Sequence, residues 1–192
     1  NKRGKSLDLS AILSHPYTDE NNIRGTYDFG LEKTLDETVL MKQLGKKLEK
    51  GEPGEVELKV KNTDRTFGTI FGSEITRRYP EGLEEDTYRI RCRGTGGQSF
   101  GAFIPQGMTL ELCGDTNDYF GKGLSGGQLI VYPPKEATYP ADENMIIGNV
   151  AFYGATSGKA FICGMAGERF CVRNSGARVV VEGVGEHGCE YM

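Results

Sequence analysis

The chain has 192 residues, a formal net charge of −4 at pH 7 and 28 glycines, about twice the usual share. It contains no basic block of the kind that binds nucleic acid, no apolar run near the roughly 20 residues of a membrane-spanning helix and no visible signal peptide. We therefore expect a cytoplasmic protein that binds neither nucleic acid nor membrane.

Residues 1–30 show little regular pattern. Residues 7–13 are compatible with a short helical turn, whereas 14–30 are polar and contain proline and glycine. We predict that 1–30 form an extended arm lying on another part of the protein. Because the chain begins at Asn1 rather than Met and stops directly after a repeat-like segment, we also expect a piece of something longer.

A helix is predicted after the arm. Thr34 and Glu37 have the spacing of a capping box, in which each side chain bonds the other residue's backbone. Apolar residues then recur on one helical face, lysines crowd the last turn, where the helix dipole favours positive charge, and Gly51 provides the stop. The apolar face consists of Leu35, Val39, Leu40, Leu44 and Leu48.

Two alternating segments, 56–60 and 87–93, predict strands. Between them, Ser73–Tyr79 has the composition of a short helix with Ser73 as its cap. We group residues 31–93 as a segment that leads into the glycine-rich half, with which it is expected to form one structural domain.

Short apolar runs led by glycine recur through residues 94–192. They follow Gly107, Gly127, Gly158 and Gly176, which stand 20, 31 and 18 residues apart. The middle step contains an insertion near residues 133–140, so the underlying period is about 20. A period of that length is typical of a stacked repeat, in which short strands pair in parallel and share one apolar interior. The pattern therefore predicts a solenoid.

Two segments, 121–126 and 183–188, match the dinucleotide fingerprint G-x-G-x-x-G. The fingerprint binds a nucleotide only where a helix N-terminus follows, because that end holds the pyrophosphate. A strand is predicted after the first match, and the chain stops shortly after the second. Tight corners between stacked strands account for these glycines better than a nucleotide does.

A polar cluster of Asp115, Asn117 and Asp118, with Lys122 nearby, offers oxygen ligands of the kind that calcium or magnesium prefers. The cluster lacks the glycine and the distant glutamate of an EF-hand loop. The favoured interpretation is that these side chains cap backbone groups at a corner.

Further charged residues lie near two later corners. The first group is Glu168, Arg169, Arg173 and Asn174, and the second is Glu186 and His187. One interpretation of the first group is a catalytic carboxylate beside arginines; the favoured one is an ion-pair network that fixes strand register. The histidine of the second group has no nucleophile in a recognisable setting. We treat the residues of both groups and of the polar cluster as structural or interface candidates, and none as catalytic, cofactor-binding or metal-ligating.

The cysteines are dispersed and form no C-x-x-C pair. This spacing supports neither a zinc site nor a thioredoxin-type motif, and iron–sulfur clusters usually need closely grouped cysteines. We expect five reduced thiols in a cytosolic protein. They are Cys92, Cys113, Cys163, Cys171 and Cys189.

Several strings resemble the C-terminal domain of the large subunit of glutamate synthase. They begin with Leu7-Asp8-Leu9-Ser10 and continue into the glycine-rich half, so the resemblance covers nearly the whole chain. Long strings make chance agreement a poor explanation. They lie at 62–66, 96–103, 114–127, 148–149, 153–156, 166–170, 172–176 and 181–192.

The resemblance implies a fold and a function. The implied fold is mainly β: a right-handed parallel β-helix with an N-terminal extended arm and one or two short helices. The implied enzyme makes two glutamates from glutamine and 2-oxoglutarate, with ammonia released by a cysteine amidotransferase domain and used by a barrel with FMN and an iron–sulfur cluster. The β-helix would brace those two domains as a non-catalytic scaffold, so FMN and the cluster are expected on partner domains and no cofactor on this chain.

Departures from the family pattern are mild. Asp115-Thr116-Asn117 stands where Asp-Ala-Asn is usual, Phe120 replaces a frequent Val and Glu186 a frequent Asp. Two other functions stay open: a β-helix subunit of a complex similar to formylmethanofuran dehydrogenase, and a free-standing ligand-binding β-helix. Whether the chain acts as an enzyme by itself also stays open. An unpaired last repeat at Met192 predicts self-association through the solenoid ends.

Overall fold

The structure, a computed structural model, describes residues 2–14 and 25–192 of the chain. The chain divides into two units, Asn1–Gly30 and Leu31–Met192. Across the described ranges, no helix combines the length and the apolar character needed to cross a membrane.

Within its described residues, the first unit contains two short helices, α1 (Lys2–Lys5) and α2 (Ser10–Leu13). Asp8 supports the second one, because its Oδ1 accepts hydrogen bonds from the backbone N–H and the hydroxyl of Ser10. The helical turn predicted within 7–13 is therefore confirmed. Of the predicted arm, 15–24 lie outside the described residues.

The second unit begins with a helical segment of mixed geometry. A 3₁₀ turn (Leu31–Lys33) is followed by a π-helix (Asp36–Met41) that runs directly into α3 (Lys42–Lys50). The Thr34 hydroxyl accepts a hydrogen bond from the Glu37 N–H at 3.4 Å, which is one half of the predicted capping box. Gly51 ends the helix in the left-handed conformation, with φ of 68°, as the sequence predicts.

A β–α–β unit follows. Strand β1 (Gly54–Val60) and strand β2 (Tyr88–Gly96) pair in parallel, and α4 (Thr69–Arg78) connects them. Both predicted strands are confirmed. Helix α4 starts before the predicted Ser73, because its N-cap is Gly68, which lacks a side chain to mark the start in the sequence.

Seven further strands complete one parallel sheet. Strand β3 pairs with β2 on one side; on its other side, residues Thr109–Cys113 pair with β4 and Thr116 pairs with β5. From there the sheet continues as two rows, β4–β6–β8 and β5–β7–β9. The bounds are β3 (Met108–Thr116), β4 (Ser125–Tyr132), β5 (Met145–Ile147), β6 (Ser157–Ile162), β7 (Met165–Ala166), β8 (Arg178–Val180) and β9 (Gly183–Val184), with a 3₁₀ turn (Ala141–Glu143) before β5.

The predicted fold class is wrong. The glycine-led runs do form parallel strands, but hydrogen bonding joins these into one curled sheet that resembles half a barrel, rather than a right-handed parallel β-helix. Helices also contribute to the structure, which makes the arrangement α/β-like rather than mainly β. A glycine period reports the spacing of corners along the chain; it does not report how many sheets the strands between those corners form.

The core of this unit lies between the helices and the curled sheet. Leu40, Leu44 and Leu48 are buried on the face predicted from the sequence, while Leu35 and Val39 pack against the core from its edge. Side chains from α4 and from alternate positions of β2 and β3 line this part of the core: Phe71, Ile75, Tyr88, Ile90, Cys92, Met108, Leu110 and Leu112.

Candidate functional site

Five six-residue turns follow the carboxyl ends of β2, β3, β5, β7 and β9. We call them the turn stack. The second, fourth and sixth residues of every turn have positive φ, between 56° and 69°. A residue other than glycine costs about 1–2 kcal/mol in this region. The turns are 98–103, 118–123, 149–154, 168–173 and 186–191.

Backbone hydrogen bonds join each turn to the next. The second residue donates to the first residue of the following turn, as from Tyr119 N–H to the Asn149 carbonyl at 2.9 Å. The fourth residue donates in the opposite direction, as from Phe152 N–H to the Phe120 carbonyl at 2.8 Å. This ladder satisfies backbone groups that alternating left- and right-handed residues would otherwise leave unpaired.

A column of phenylalanine rings fills the inside of the turn stack. Neighbouring rings have centroids 5.4 to 6.2 Å apart, the spacing of favourable aromatic pairs. The ring belongs to the third residue of the first, second and fourth turns. In the third turn that residue is Ala151, and the fourth residue, Phe152, supplies the ring instead. The rings are those of Phe67, Phe100, Phe120, Phe152 and Phe170.

The glycines of the first G-x-G-x-x-G match are required by this packing. A Cβ on Gly121 would lie 2.6 Å from the Phe152 ring and 2.8 Å from Leu129, and a Cβ on Gly123 would collide with the Phe103 ring. The space beside these glycines is therefore filled by the protein's own side chains. Strand β4 begins within the first match and takes the place of the helix that a dinucleotide needs, and the second match spans β9 and the start of the fifth turn.

The polar cluster makes the contacts of a corner. Asp118 Oδ1 accepts a hydrogen bond from the Asn149 N–H at 2.8 Å, and Asn149 Oδ1 accepts one from the Glu168 N–H at 2.9 Å. The side chains of Asp115 and Asn117 are exposed. Among the described residues, no group of three or more histidine, cysteine, aspartate or glutamate residues could hold a metal ion.

The first charged group, predicted to form an ion-pair network, does not form one. Glu168, Arg169 and Arg173 are exposed, and within the described part of the chain no ion pair joins them. Asn174 is separate and buried: its Oδ1 accepts hydrogen bonds from the N–H groups of Gly176 and Ala177, and its Nδ2 donates to the Ala177 carbonyl. It shapes the turn before β8 and faces no charge partner.

The last predicted pair lies in the fifth turn. His187 and Glu186 are exposed, and His187 Nδ1 lies 2.9 Å from a carboxylate oxygen of Glu190. Lys122 belongs to the second turn, where its ammonium lies 5.6 Å from the Tyr119 ring centroid and 5.9 Å from that of Phe103, within cation–π range. The structure thus distributes the predicted residues over several turns instead of gathering them in one pocket.

A shallow cavity of about 370 Å³ opens on the outside of the turn stack. It is lined by the second and fifth residues of three consecutive turns, a set that we call the turn face. Lys122 and Arg169 are among the residues singled out from the sequence, whereas the aromatic and aliphatic members are not, because they become recognisable only once the six-residue turns are aligned with one another. The turn face consists of Tyr119, Lys122, Val150, Tyr153, Arg169 and Val172.

A groove of about 340 Å³ lies at the amino ends of β3, β4 and β6. Lys159 bonds both carboxylate oxygens of Glu85 there, at 2.8 and 2.9 Å. The groove contains many glycines, but a Cβ on Gly127, Gly158 or Gly176 would meet backbone or buried side chains of the protein itself. These glycines are explained by internal packing, so they do not indicate a ligand.

One buried carboxylate was missed by the sequence analysis. Asp36 is 2% exposed, and its oxygens accept hydrogen bonds from the N–H groups of Gly68 and Phe71 at the start of α4. Burial raises the pKa of Asp36, although these hydrogen bonds oppose the shift. The carboxylate caps a helix from 32 residues away, a contact that no local sequence signal announces.

A charged network lies on the outer side of the sheet. Glu111 accepts hydrogen bonds from the Tyr132 hydroxyl at 2.7 Å and from Arg89 at 3.1 Å, and Arg91 binds Glu55. Partial burial would raise the pKa of Glu111, but these hydrogen bonds hold it below its ordinary value. In return, the hydrogen bond to Glu111 raises the pKa of Tyr132 to about 12.

The five cysteines are all free thiols. Cys92 and Cys171 are buried, and desolvation raises the pKa of each, to about 12 for Cys171. Cys163 and Cys189 are exposed. The residues described do not fit an iron–sulfur cluster, since no grouping of suitable ligands occurs among them.

Comparison with known proteins places the chain in a family. The GXGXG motif family matches residues 36–192. The chain belongs to the GXGXG motif family. Its resemblance to glutamate synthase is confirmed at high identity, as the relatives below show.

Three relatives illustrate the extent of the similarity. The chain is 51% identical to the glutamate synthase [NADPH] large chain of Bacillus subtilis over 99% of its own length and 12% of that protein. It is 52% identical to the glutamate synthase [NADH] of Schizosaccharomyces pombe over its whole length, 9% of that protein. It is 53% identical to the large chain of Azospirillum brasilense over 75% of its length. The chain spans about a tenth of the length of these relatives.

Proposed function

We propose that this chain is a structural domain of a glutamate synthase and that it carries no catalytic residue. The observation that carries the proposal is the 51% identity to a glutamate synthase large chain across nearly the whole chain, together with the match to the GXGXG motif family. The matched segment is a small part of a large polypeptide, as expected for one domain among several.

The construction of the domain supports a bracing role. The turn stack is tied together by backbone hydrogen bonds and by a continuous column of rings. Cooperative packing of this kind resists local deformation, because each layer is held by those on both sides. The charged candidates Glu168 and Arg169 stand exposed on the fourth turn and His187 on the fifth, which favours surface contact over concerted acid–base chemistry.

The proposed assembly makes glutamate from glutamine and 2-oxoglutarate. An amidotransferase domain and an FMN-binding domain with an iron–sulfur cluster are the proposed partners, and the chain described here would hold them in register. FMN and the cluster would be bound by those partners. The names of the relatives include both NADPH and NADH forms, so the electron donor is left open.

The proposal is tested by replacing the matched segment of the Bacillus subtilis large chain with this chain. We expect the enzyme assembled from this chimera to form glutamate within about tenfold of the unmodified enzyme. A second chimera carries a flexible Gly-Ser linker of equal length and is expected to be inactive. A folded but inactive first chimera, or an active linker chimera, would contradict the proposed role.

A scaffold is distinguished from a catalytic domain by two substitutions in the active chimera. Glu168→Ala and His187→Ala are expected to leave glutamate formation within about threefold. A loss of a hundredfold or more, with an unchanged melting temperature, would show that the chain contributes to the chemistry. Flavin absorbance in stoichiometric amount on the isolated chain would equally argue against the scaffold role.

A further inference from the structure

The turn face has the composition of a protein–protein contact. It combines two tyrosines and two valines with a lysine and an arginine, and tyrosine and arginine are enriched where interfaces gain most of their affinity. Phe103 lies beside it, 52% exposed, with its ring near the Lys122 ammonium. Tyr119 is 36% exposed. Exposed aromatic side chains grouped in this way usually mark a binding surface.

The cations of this surface lack acidic partners. Lys122, Arg169 and the neighbouring Arg173 form no ion pair with any residue in 2–14 or 25–192. The nearby Asp118 carboxylate is occupied by the Asn149 N–H, and Glu168 does not pair with Arg169. The side chains of Lys122 and Arg169 therefore remain available to pair with carboxylates of a partner.

The backbone holds these side chains in fixed positions. Tyr119, Val150 and Arg169 all have φ near 58°, where a bulky or β-branched residue is a clear outlier. Tyr119 and Arg169 are exposed, so burial of their side chains in the core does not offset the energetic cost of this conformation. The corresponding residues of the other turns share this conformation, so the geometry of the turn stack sets the direction in which these side chains project.

We infer that the turn face is the docking surface for an acidic, partly apolar surface of another domain of the glutamate synthase polypeptide. The inference rests on the proposed function. Unpaired cations select carboxylates on the partner, and the rings between them provide the desolvated contact area. The matched relatives carry roughly nine-tenths of their length outside this segment, which is ample sequence for such a partner.

Hydroxyl-radical labelling of aromatic side chains tests the inference. In the isolated chain, Phe103 and Tyr119 should be modified about as readily as Tyr139, which is 39% exposed and lies in the loop between β4 and β5. In the Bacillus chimera, modification of Phe103 and Tyr119 should fall at least fivefold while that of Tyr139 falls less than twofold. Equal modification of Phe103 and Tyr119 in the two proteins would overturn the docking surface, even if the chimera is fully active.

Charge reversal tests the chemistry of the occupant. Lys122→Glu combined with Arg169→Glu should restore modification of Tyr119 in the chimera to the level of the isolated chain. Lys46→Glu, a reversal on an exposed lysine of α3, is the matched control and should restore nothing. The melting temperature of the isolated double variant should stay within about 3 °C of the parent. Protection that survives the double reversal would rule out an acidic partner.

The remaining outcomes separate this inference from the proposed function. Protection of Tyr119 in a folded but inactive chimera would support the docking surface while contradicting the glutamate synthase role. If the isolated chain is dimeric by light scattering and already protects Phe103 and Tyr119, the occupant is a second copy and the inference is wrong.

Discussion

The carboxylate of Asp36 caps helix α4 by accepting a hydrogen bond from the N–H of Phe71, 35 residues further along the chain. A second hydrogen bond comes from Gly68, so both carboxylate oxygens are used. The contact fastens the π-helical segment that carries Asp36 to the start of α4. This joint is the clearest place to test how the helices contribute to stability.

We expect Asp36→Ala to lower the free energy of unfolding by about 1–3 kcal/mol, because two buried N–H groups lose their acceptors. Urea denaturation of the whole chain measures the change. Glu37→Ala, in the same helical turn but with a half-buried residue, is the control and should cost less than about 0.5 kcal/mol. Equal losses in the two variants would show that the cap contributes nothing specific.

The contribution of Asp36 should also depend on pH. Because burial raises its pKa in the folded protein, its stabilising contribution is fully present below the ordinary value of 3.8 and is lost as pH rises through the higher folded value. The destabilisation caused by Asp36→Ala should therefore be larger at pH 3 than at pH 8. Denaturation curves of both proteins at the two pH values test this, and an effect that grows with pH would contradict the expected sign.

Two glycines of the turn stack form a matched pair for substitution. Gly121 and Gly154 have nearly the same φ, 60° and 63°, but a Cβ on Gly154 would meet nothing within 4 Å, whereas one on Gly121 would strike the buried Phe152 and Leu129. We expect Gly154→Ala to cost about 1–2 kcal/mol from the backbone alone. Gly121→Ala should cost about 1–3 kcal/mol more because the core must shift. Equal costs in thermal or urea unfolding would mean that packing around Gly121 adapts freely.

The ring column should be a major source of stability. Phe120 is fully buried between Phe100 and Phe152, so Phe120→Ala is expected to destabilise the chain by about 3–5 kcal/mol. Phe161→Ala removes a ring that is 44% exposed and should cost far less. A small loss for Phe120→Ala in denaturant titrations would show that the stacked turns hold together without their rings.

Tyr132 provides a second pH-dependent test. Its pKa of about 12 results mainly from the hydrogen bond to Glu111, so Glu111→Gln should bring it closer to the ordinary value of 10.0. In the wild-type protein the stability linked to Tyr132 is present below pH 10 and is lost as pH rises through about 12. NMR of ring-labelled tyrosine follows the titration. Glu57→Gln, on the more exposed side of the same network, should leave the Tyr132 pKa unchanged.

The sequence predicts local features of this protein well. The capping threonine, the stop at Gly51 and the apolar face of the helix all follow from short-range rules, and the structure has them. The glycine-led runs correctly predict strands, because a strand and its bounding corner are both local, and the repetition of the runs correctly predicts that these strands pair in parallel. Features that depend on contacts within a few residues are thus recoverable from the chain alone.

Long-range features are where the prediction fails. How the strands combine depends on β3 having three neighbours, a relationship between residues up to 31 positions apart, such as Thr116 and Ile147. The capping of α4 by Asp36 is equally remote. The candidate site was recovered only in part: Lys122 and Arg169 were found by their charge, while Tyr119 was missed because its role depends on the stacking of successive turns.

The loop from 133 to 144 connects two strands, β4 and β5, that both pair with β3. Strand β4 leaves the sheet after Tyr132 beside Cys113, and β5 re-enters it beside Thr116, only three residues along the same strand. Departure and return points are therefore fixed by β3, whatever length of chain lies between them. Residues 135–140 of this loop, which are mostly exposed, are a natural attachment point for a fluorophore, a tag or an inserted domain, whereas Asn144 accepts a hydrogen bond from Met165 and belongs to the layers beyond.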